Sequence, residues 1–99
     1  MITCLIRYEI DPWRVDAFEA YARGWSEAIP RCGGRLVGYF APQEGSATAA
    51  FALIELDSLA AYEAYRARLK ADPAGKANFE YAKRERFIVT EDRLFLRKV

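Results

Sequence analysis

Ala47-Thr48-Ala49-Ala50-Phe51-Ala52-Leu53-Ile54-Glu55-Leu56 decides the architecture. Its even positions carry Thr48, Ala50, Ala52, Ile54 and Leu56, and its odd ones Ala47, Ala49, Phe51, Leu53 and Glu55. A strand with one wet face alternates apolar and polar residues, yet here both sets are largely apolar. The segment reads as a central strand buried on both faces. Before it, Pro42-Gln43-Glu44-Gly45-Ser46 is turn chemistry, and residues 35–41 read as a strand. The two strands therefore form a hairpin.

Further out, residues 2–10 set Ile2, Cys4, Ile6, Tyr8 and Ile10 against Thr3, Leu5, Arg7 and Glu9, a strand with one fully apolar face. Asp11 and Pro12 then predict a helix N-cap followed by proline at the first helical position. Phe18, Tyr21, Ala22, Trp25 and Ile29 form one helical stripe, closed by Pro30 and Gly33-Gly34. After the central strand, Asp57-Ser58 offers another cap, and Leu59, Tyr62, Tyr65 and Leu69 line a second helix. Asp72-Pro73 stops that helix and starts a short, charged third one over about 75–87. Glu91-Asp92 reads as a turn and residues 93–99 as the last strand.

The order is βαββαβ with one additional helix, an α+β chain of ferredoxin-like split βαβ topology with an antiparallel sheet. Strands one and three are central in it. Right-handed crossovers place the main helices on one face of the sheet and leave the other bare. Because residues 47–56 are apolar on both faces, something outside the protomer must cover that bare face. A second copy packed sheet to sheet is the economical solution, giving a homodimer through the helix-free face.

The chain has 99 residues, enough for the single domain expected over 1–99. Fifteen basic and fourteen acidic residues leave a net charge of +1, too balanced for a dedicated nucleic-acid binder. Residues 61–99 hold ten of the basic ones, but Glu80 and Glu85 interleave with Lys83, Arg84 and Arg86, as on a solvated helix face. No run approaches the ~18 apolar residues of a membrane span. Cys4 and Cys32 stand apart without a C-x-x-C pair, and the start lacks the pattern of a secretory leader. The expectation is a cytoplasmic protein with both thiols reduced.

Tyr8-x-Ile10-x-Pro12 and Gly34-Arg35-Leu36-Val37-Gly38-Tyr39-Phe40 resemble the NIPSNAP family. So do Gly45, Asp57-Ser58-Leu59-Ala60-Ala61 and Asp72-Pro73, so that nearly the whole chain is covered. The resemblance implies a ferredoxin-like protomer that pairs its sheet into a barrel, with small-molecule binding or an assembly role as functions. Relatives often carry an Asn–His–Trp–Tyr series along strand three. Thr48, Ala52, Ile54 and Leu56 stand there in this chain, so no site built on that series carries over.

Histidine is absent, which excludes histidine-activated nucleophiles, histidine metal sites and a histidine-ligated haem. The remaining residues point to no metal and no cofactor. Cys4 lies on an apolar strand face, and Cys32, at the wrong end of a helix for thiolate activation, is expected to be somewhat more open. The candidate ligand-binding residues are Tyr8, Tyr21, Trp25, Tyr62 and Tyr65, converging between sheet and helices. Alanines 47, 49, 50 and 52 would keep the strand thin and leave room for a ligand. The same aromatics fit plain core filling. Arg66, one turn from Tyr62, suits either a ligand carboxylate or a surface pair with Glu63.

Two functions follow. One is a dimeric barrel that binds a small, partly apolar molecule or serves as an assembly module. The other, by analogy of fold, is a cofactor-independent monooxygenase of the antibiotic-biosynthesis type, or an isomerase, for which Trp25, Tyr8 and Tyr65 are the residues to change.

Overall fold

In the computed structural model, which describes residues 1–99, the elements run β1 (Ile2–Ile10), α1 (Val15–Arg31), β2 (Arg35–Phe40), β3 (Ala49–Leu56), α2 (Leu59–Ala71), α3 (Pro73–Glu85) and β4 (Ile88–Leu96). The sheet is antiparallel in the order β2-β3-β1-β4, so β1 and β3 are central, as the ferredoxin-like reading requires. Cys4, Ile6, Tyr8 and Ile10 of β1 and Ala50, Ala52, Ile54 and Leu56 of β3 are buried against the helices. Phe18, Tyr21, Trp25 and Ile29 of α1 meet them, with Tyr65 and Leu69 of α2. Leu59 does not join that stripe; it lies at the exposed start of α2.

The other sheet face stays open in the protomer. Phe51 and Leu53 of β3, Leu5 of β1 and Leu94 and Leu96 of β4 all point to it, with Phe51, Leu94 and Leu96 more than a third exposed. At its margins Arg7 faces Asp92, with Nη2 to Oδ2 at 2.6 Å, and Arg35 faces Glu55, with Nε to Oε1 at 3.1 Å. The strand read as buried on both faces is thus covered on one face only within a single chain.

Three boundaries differ from the sequence reading. Asp11 does not cap α1. Its Oδ1 accepts from the Trp13 N–H at 2.9 Å and its own N–H donates to the Phe87 carbonyl at 2.8 Å, making an Asx turn that delays the helix to Val15. Pro30 lies inside the last turn of α1 rather than ending it. Closure comes from Gly33, at φ +103°, and the Gly34 N–H donating to the Ile29 carbonyl at 3.0 Å. Finally, β4 begins at Ile88 and not Arg93, so Glu91 and Asp92 are strand residues paired with Tyr8 and Arg7 rather than a turn.

Two contacts fix α3. Asp72 caps it, with Oδ2 accepting from the Gly75 N–H at 2.9 Å while the same carboxylate holds Arg31 at the end of α1. Ser58 caps α2 in the same manner through the Ala61 N–H. Gly75 itself sits so close to the end of α2 that a Cβ there would lie 2.5 Å from the Leu69 carbonyl oxygen. Gly75→Ala is therefore expected to destabilise the fold by about 2 kcal/mol, the range typical of overpacking, measured by urea unfolding. Arg31 and the Gly75 N–H together hold the Asp72 carboxyl down to about 2. A depressed pKa contributes stability above the ordinary aspartate value and loses it as pH falls. Asp72→Asn should lower Tm by a few degrees at pH 7, and the gap should close as pH falls from about 4 towards 2.

Candidate functional site

Tyr8, Tyr21, Trp25, Tyr62 and Tyr65 line one cleft between the sheet and the helices, as expected of them. Each arrives by a local rule. Tyr8 stands on the inward face of β1. Tyr21 and Trp25 lie one turn apart on α1, and Tyr62 and Tyr65 share a face of α2. Asn78 of α3 donates to the Tyr21 carbonyl at 2.8 Å and locks α3 onto α1 beside them. Phe79 then closes one wall, edge-on to Trp25 at 4.9 Å between ring centroids.

The enclosed space is about 20 Å³, room for a single water. Two features account for the narrowness. The room above Ala50 and Ala52, which the alanine run suggested would serve a ligand, is taken by Tyr8 and Tyr39, directly across from them in the sheet. These rings stack at 6.2 Å, with the hydroxyls 3.3 Å apart, and Phe18 packs beside both. Ala47 and Ala49 face elsewhere, Ala47 before the strand and Ala49 on the helix-free side. At the opposite end Tyr62, held edge-on by Phe95 at 4.8 Å, narrows the opening between α2 and β4.

Three lining residues were not singled out from sequence. Tyr39 is one: a bulge in β2 between Leu36 and Gly38 resets the alternation and brings both Leu36 and Tyr39 inward. Arg93 is the second. It pairs with Ile6 on the helix side of β4, among apolar walls, while its Nη2 meets Glu91 Oε2 at 2.7 Å. Its Nε–H is buried without an acceptor. Phe79 is the third, since its helix reads from sequence as rich in charge. Arg66 does not pair with Glu63; its guanidinium lies 6.0 Å from the Tyr62 ring centroid and lines the cleft.

Burial dominates the electrostatics. It raises the Tyr8, Tyr39 and Tyr65 hydroxyls well above the ordinary tyrosine value, and Tyr21 to about 12, with Trp25 opposing the Tyr21 shift. Burial also raises the Cys4 thiol, against the pull of Arg93 and Arg66, so burial favours the neutral form of this thiol and of those four hydroxyls. Cys32 is as buried as Cys4 rather than more open, packed under the end of α1 with its carbonyl accepting from Arg68 Nε at 2.9 Å. No group of three His, Cys, Asp or Glu side chains is positioned to hold a metal ion. No helix is long and apolar enough to cross a membrane.

The sequence matches the model of the NIPSNAP family over residues 3–99. The chain belongs to the NIPSNAP family. A NIPSNAP family protein of unknown function from Agrobacterium tumefaciens shares the fold at a TM-score of 0.86 and 21% identity, over 100% of this chain and 88% of that one. An uncharacterized NIPSNAP domain protein from Burkholderia xenovorans gives 0.79 at 22% identity, over 100% and 95%. A candidate antibiotic biosynthesis monooxygenase from Nitrosomonas europaea gives 0.76 at 9% identity, over 100% and 99%. No curated protein matches the sequence. At these identities the likeness is one of fold.

The raised tyrosine values in this NIPSNAP chain have a measurable consequence. A raised pKa contributes stability that is complete below the unfolded value near 10 and is lost as pH rises beyond it. Of the six tyrosines, Tyr8, Tyr21, Tyr39 and Tyr65 should therefore resist ionisation. Absorbance at 295 nm near pH 11 should therefore fall well short of the amplitude reached after unfolding, with unfolding itself hastened by further alkali.

Proposed function

We propose that the protein is a homodimeric α+β barrel that binds a small, partly apolar molecule in the cleft between sheet and helices of each protomer. One observation carries the reading: aromatic walls set with polar groups that packing alone does not require. Phenylalanine and leucine would fill the space without the cost of taking hydroxyl, indole and guanidinium groups out of water. Here Tyr8, Tyr39, Trp25 and Arg93 all bring such groups inward. The narrow resting cleft then implies that a ligand displaces the partly exposed Tyr62 and Arg66 at its mouth.

The dimer rests on the open sheet face. Its strands place Leu5, Phe51, Leu53 and Leu94 together, whereas the inward face of β4 carries Glu91 and Arg93 beside Phe95. An edge strand that turns its leucines away from its own helices suits a second apolar sheet on that side. The paired charges Arg7–Asp92 and Arg35–Glu55 lie where a rim belongs. The buried, unlinked cysteines suit a reducing, cytoplasmic setting. A second reading, a cofactor-independent monooxygenase, is favoured by the likeness of fold to the Nitrosomonas europaea protein and by a cleft lined with neutral aromatics. Oxygen uptake with a hydroquinone or anthrone substrate would support it, and uptake no faster than in buffer removes it.

Phe51→Lys and Leu94→Lys test the assembly without touching the helix-side core. Wild-type protein should scatter light with the mass of two chains at micromolar concentration. Both variants should keep their far-UV circular dichroism and fall to the mass of one chain. A wild-type mass of one chain would contradict the dimer.

A further inference from the structure

We propose that the ligand is a small aromatic carboxylate whose acid group is received by Arg93 and Arg66 at the mouth of the cleft, with its ring against Trp25 and Tyr62. The inference deepens the binding role proposed above and rests on it.

Two buried side-chain atoms lining the cleft have no acceptor, Arg93 Nε and Trp25 Nε1, and both are donors. The Trp25 N–H leans towards the Tyr21 hydroxyl closely enough to oppose its pKa rise, yet falls short of a hydrogen bond. Arginine and indole nitrogens cannot accept, and the tyrosine hydroxyls can turn to suit either role. A ligand that completes the site must therefore bring acceptors. A buried donor left unmet costs more than a made hydrogen bond returns, so the gain on filling it is large.

Charge selects among acceptor-bearing ligands. Arg93 and Arg66 both lie near enough to Cys4 to pull its thiol pKa down against burial, and Glu91 acts in the opposite sense. Glu91 is engaged with Arg93 Nη2 at 2.7 Å, which leaves the neighbouring Nε–H of that guanidinium as a donor without a partner. Two guanidiniums against one carboxylate give the mouth a net positive charge. A carboxylate brings one oxygen for the Arg93 Nε–H, another for Arg66, and a charge that balances the excess, whereas a neutral carbonyl leaves that charge unmet. The remaining walls are the rings of Trp25, Phe79, Tyr62 and Tyr65 with aliphatic side chains such as Ile29 and Leu69 between them, so the body that follows the acid group is apolar and a flat ring suits its aromatic side.

Benzoate, benzamide and benzylammonium are aromatic probes of similar size in three charge states and separate the outcomes. Trp13 is 89% exposed, so a Trp13→Phe background leaves Trp25 as the sole indole reporter. Titrations would follow Trp25 fluorescence and its indole N–H resonance. Benzoate should bind roughly tenfold or more tightly than benzamide, the scale of one hydrogen bond to a charged group. It should move the indole N–H resonance, while benzylammonium should not bind. Arg93→Met should bring benzoate down to the affinity of benzamide and leave benzamide unchanged. Arg66→Gln, a change at the partly exposed mouth, should reduce the same preference in part if Arg93→Met fails to fold. Equal binding of benzoate and benzamide overturns the carboxylate assignment while leaving a small-molecule site in place. A preference that survives in both variants overturns the arginine assignment. No response to any of the three at millimolar concentration removes both this inference and the binding role beneath it.

Discussion

The antiparallel pairing of β1 with β3 runs unbroken from Ile2 opposite Leu56 to Glu9 opposite Ala49, and it creates two surfaces with opposite needs. On one side Cys4, Ile6, Tyr8, Ala50, Ala52 and Ile54 form the floor on which the helices rest. On the other, Leu5, Phe51 and Leu53 stand over a face with no helix. Side-chain alternation makes the two inseparable, since a slip of one residue would exchange them completely. The caps and close contacts of α2 and α3 serve the first surface. The proposed dimer serves the second.

The floor also explains why the cleft is polar and small at once. Alanine at 50 and 52 admits the large rings of Tyr8 and Tyr39, whose hydroxyls find each other there. Those rings occupy the space that smaller residues would leave, and they displace the open volume towards Trp25, Tyr65 and β4. There the polar groups are less well met. Arg93 has one nitrogen on Glu91 and another without a partner, in a setting where burial works against its charge and Glu91 sustains it. A polar network satisfied at one end and unsatisfied at the other is a costly way to fill a core, and the proposed ligand role rests on that cost.

Most of the architecture was legible in the sequence because its signals are local. Period two in residues 2–10, the stripe from Phe18 to Ile29, the cap at Ser58 and the Asp72-Pro73 start of α3 all appear in the structure. The five aromatics expected in one cleft do meet there. The errors share a physical origin, in that each depends on a partner distant in sequence. The bulge that turns Tyr39 inward belongs to the β2–β3 ladder. Pairing with β1 puts Arg93 inside and Leu94 outside, the reverse of what hydrophobicity along β4 alone suggests. Asp11 serves a turn rather than a helix because its N–H is bonded to Phe87. The residues that matter most for the chemistry of the cleft were thus the least visible, being set by register rather than by composition.

The central claim is that β3 is the seam of two buried layers, one within the chain and one between chains. Mixing equal parts of carbon-13-labelled and unlabelled protein, then recording isotope-filtered nuclear Overhauser spectra, tests it at the residues concerned. Contacts between different chains should appear at the Leu5, Leu53 and Leu94 methyls and the Phe51 ring, and at none of the side chains facing the cleft. Only intrachain contacts at those positions, with rotational correlation times of a single chain, would contradict it.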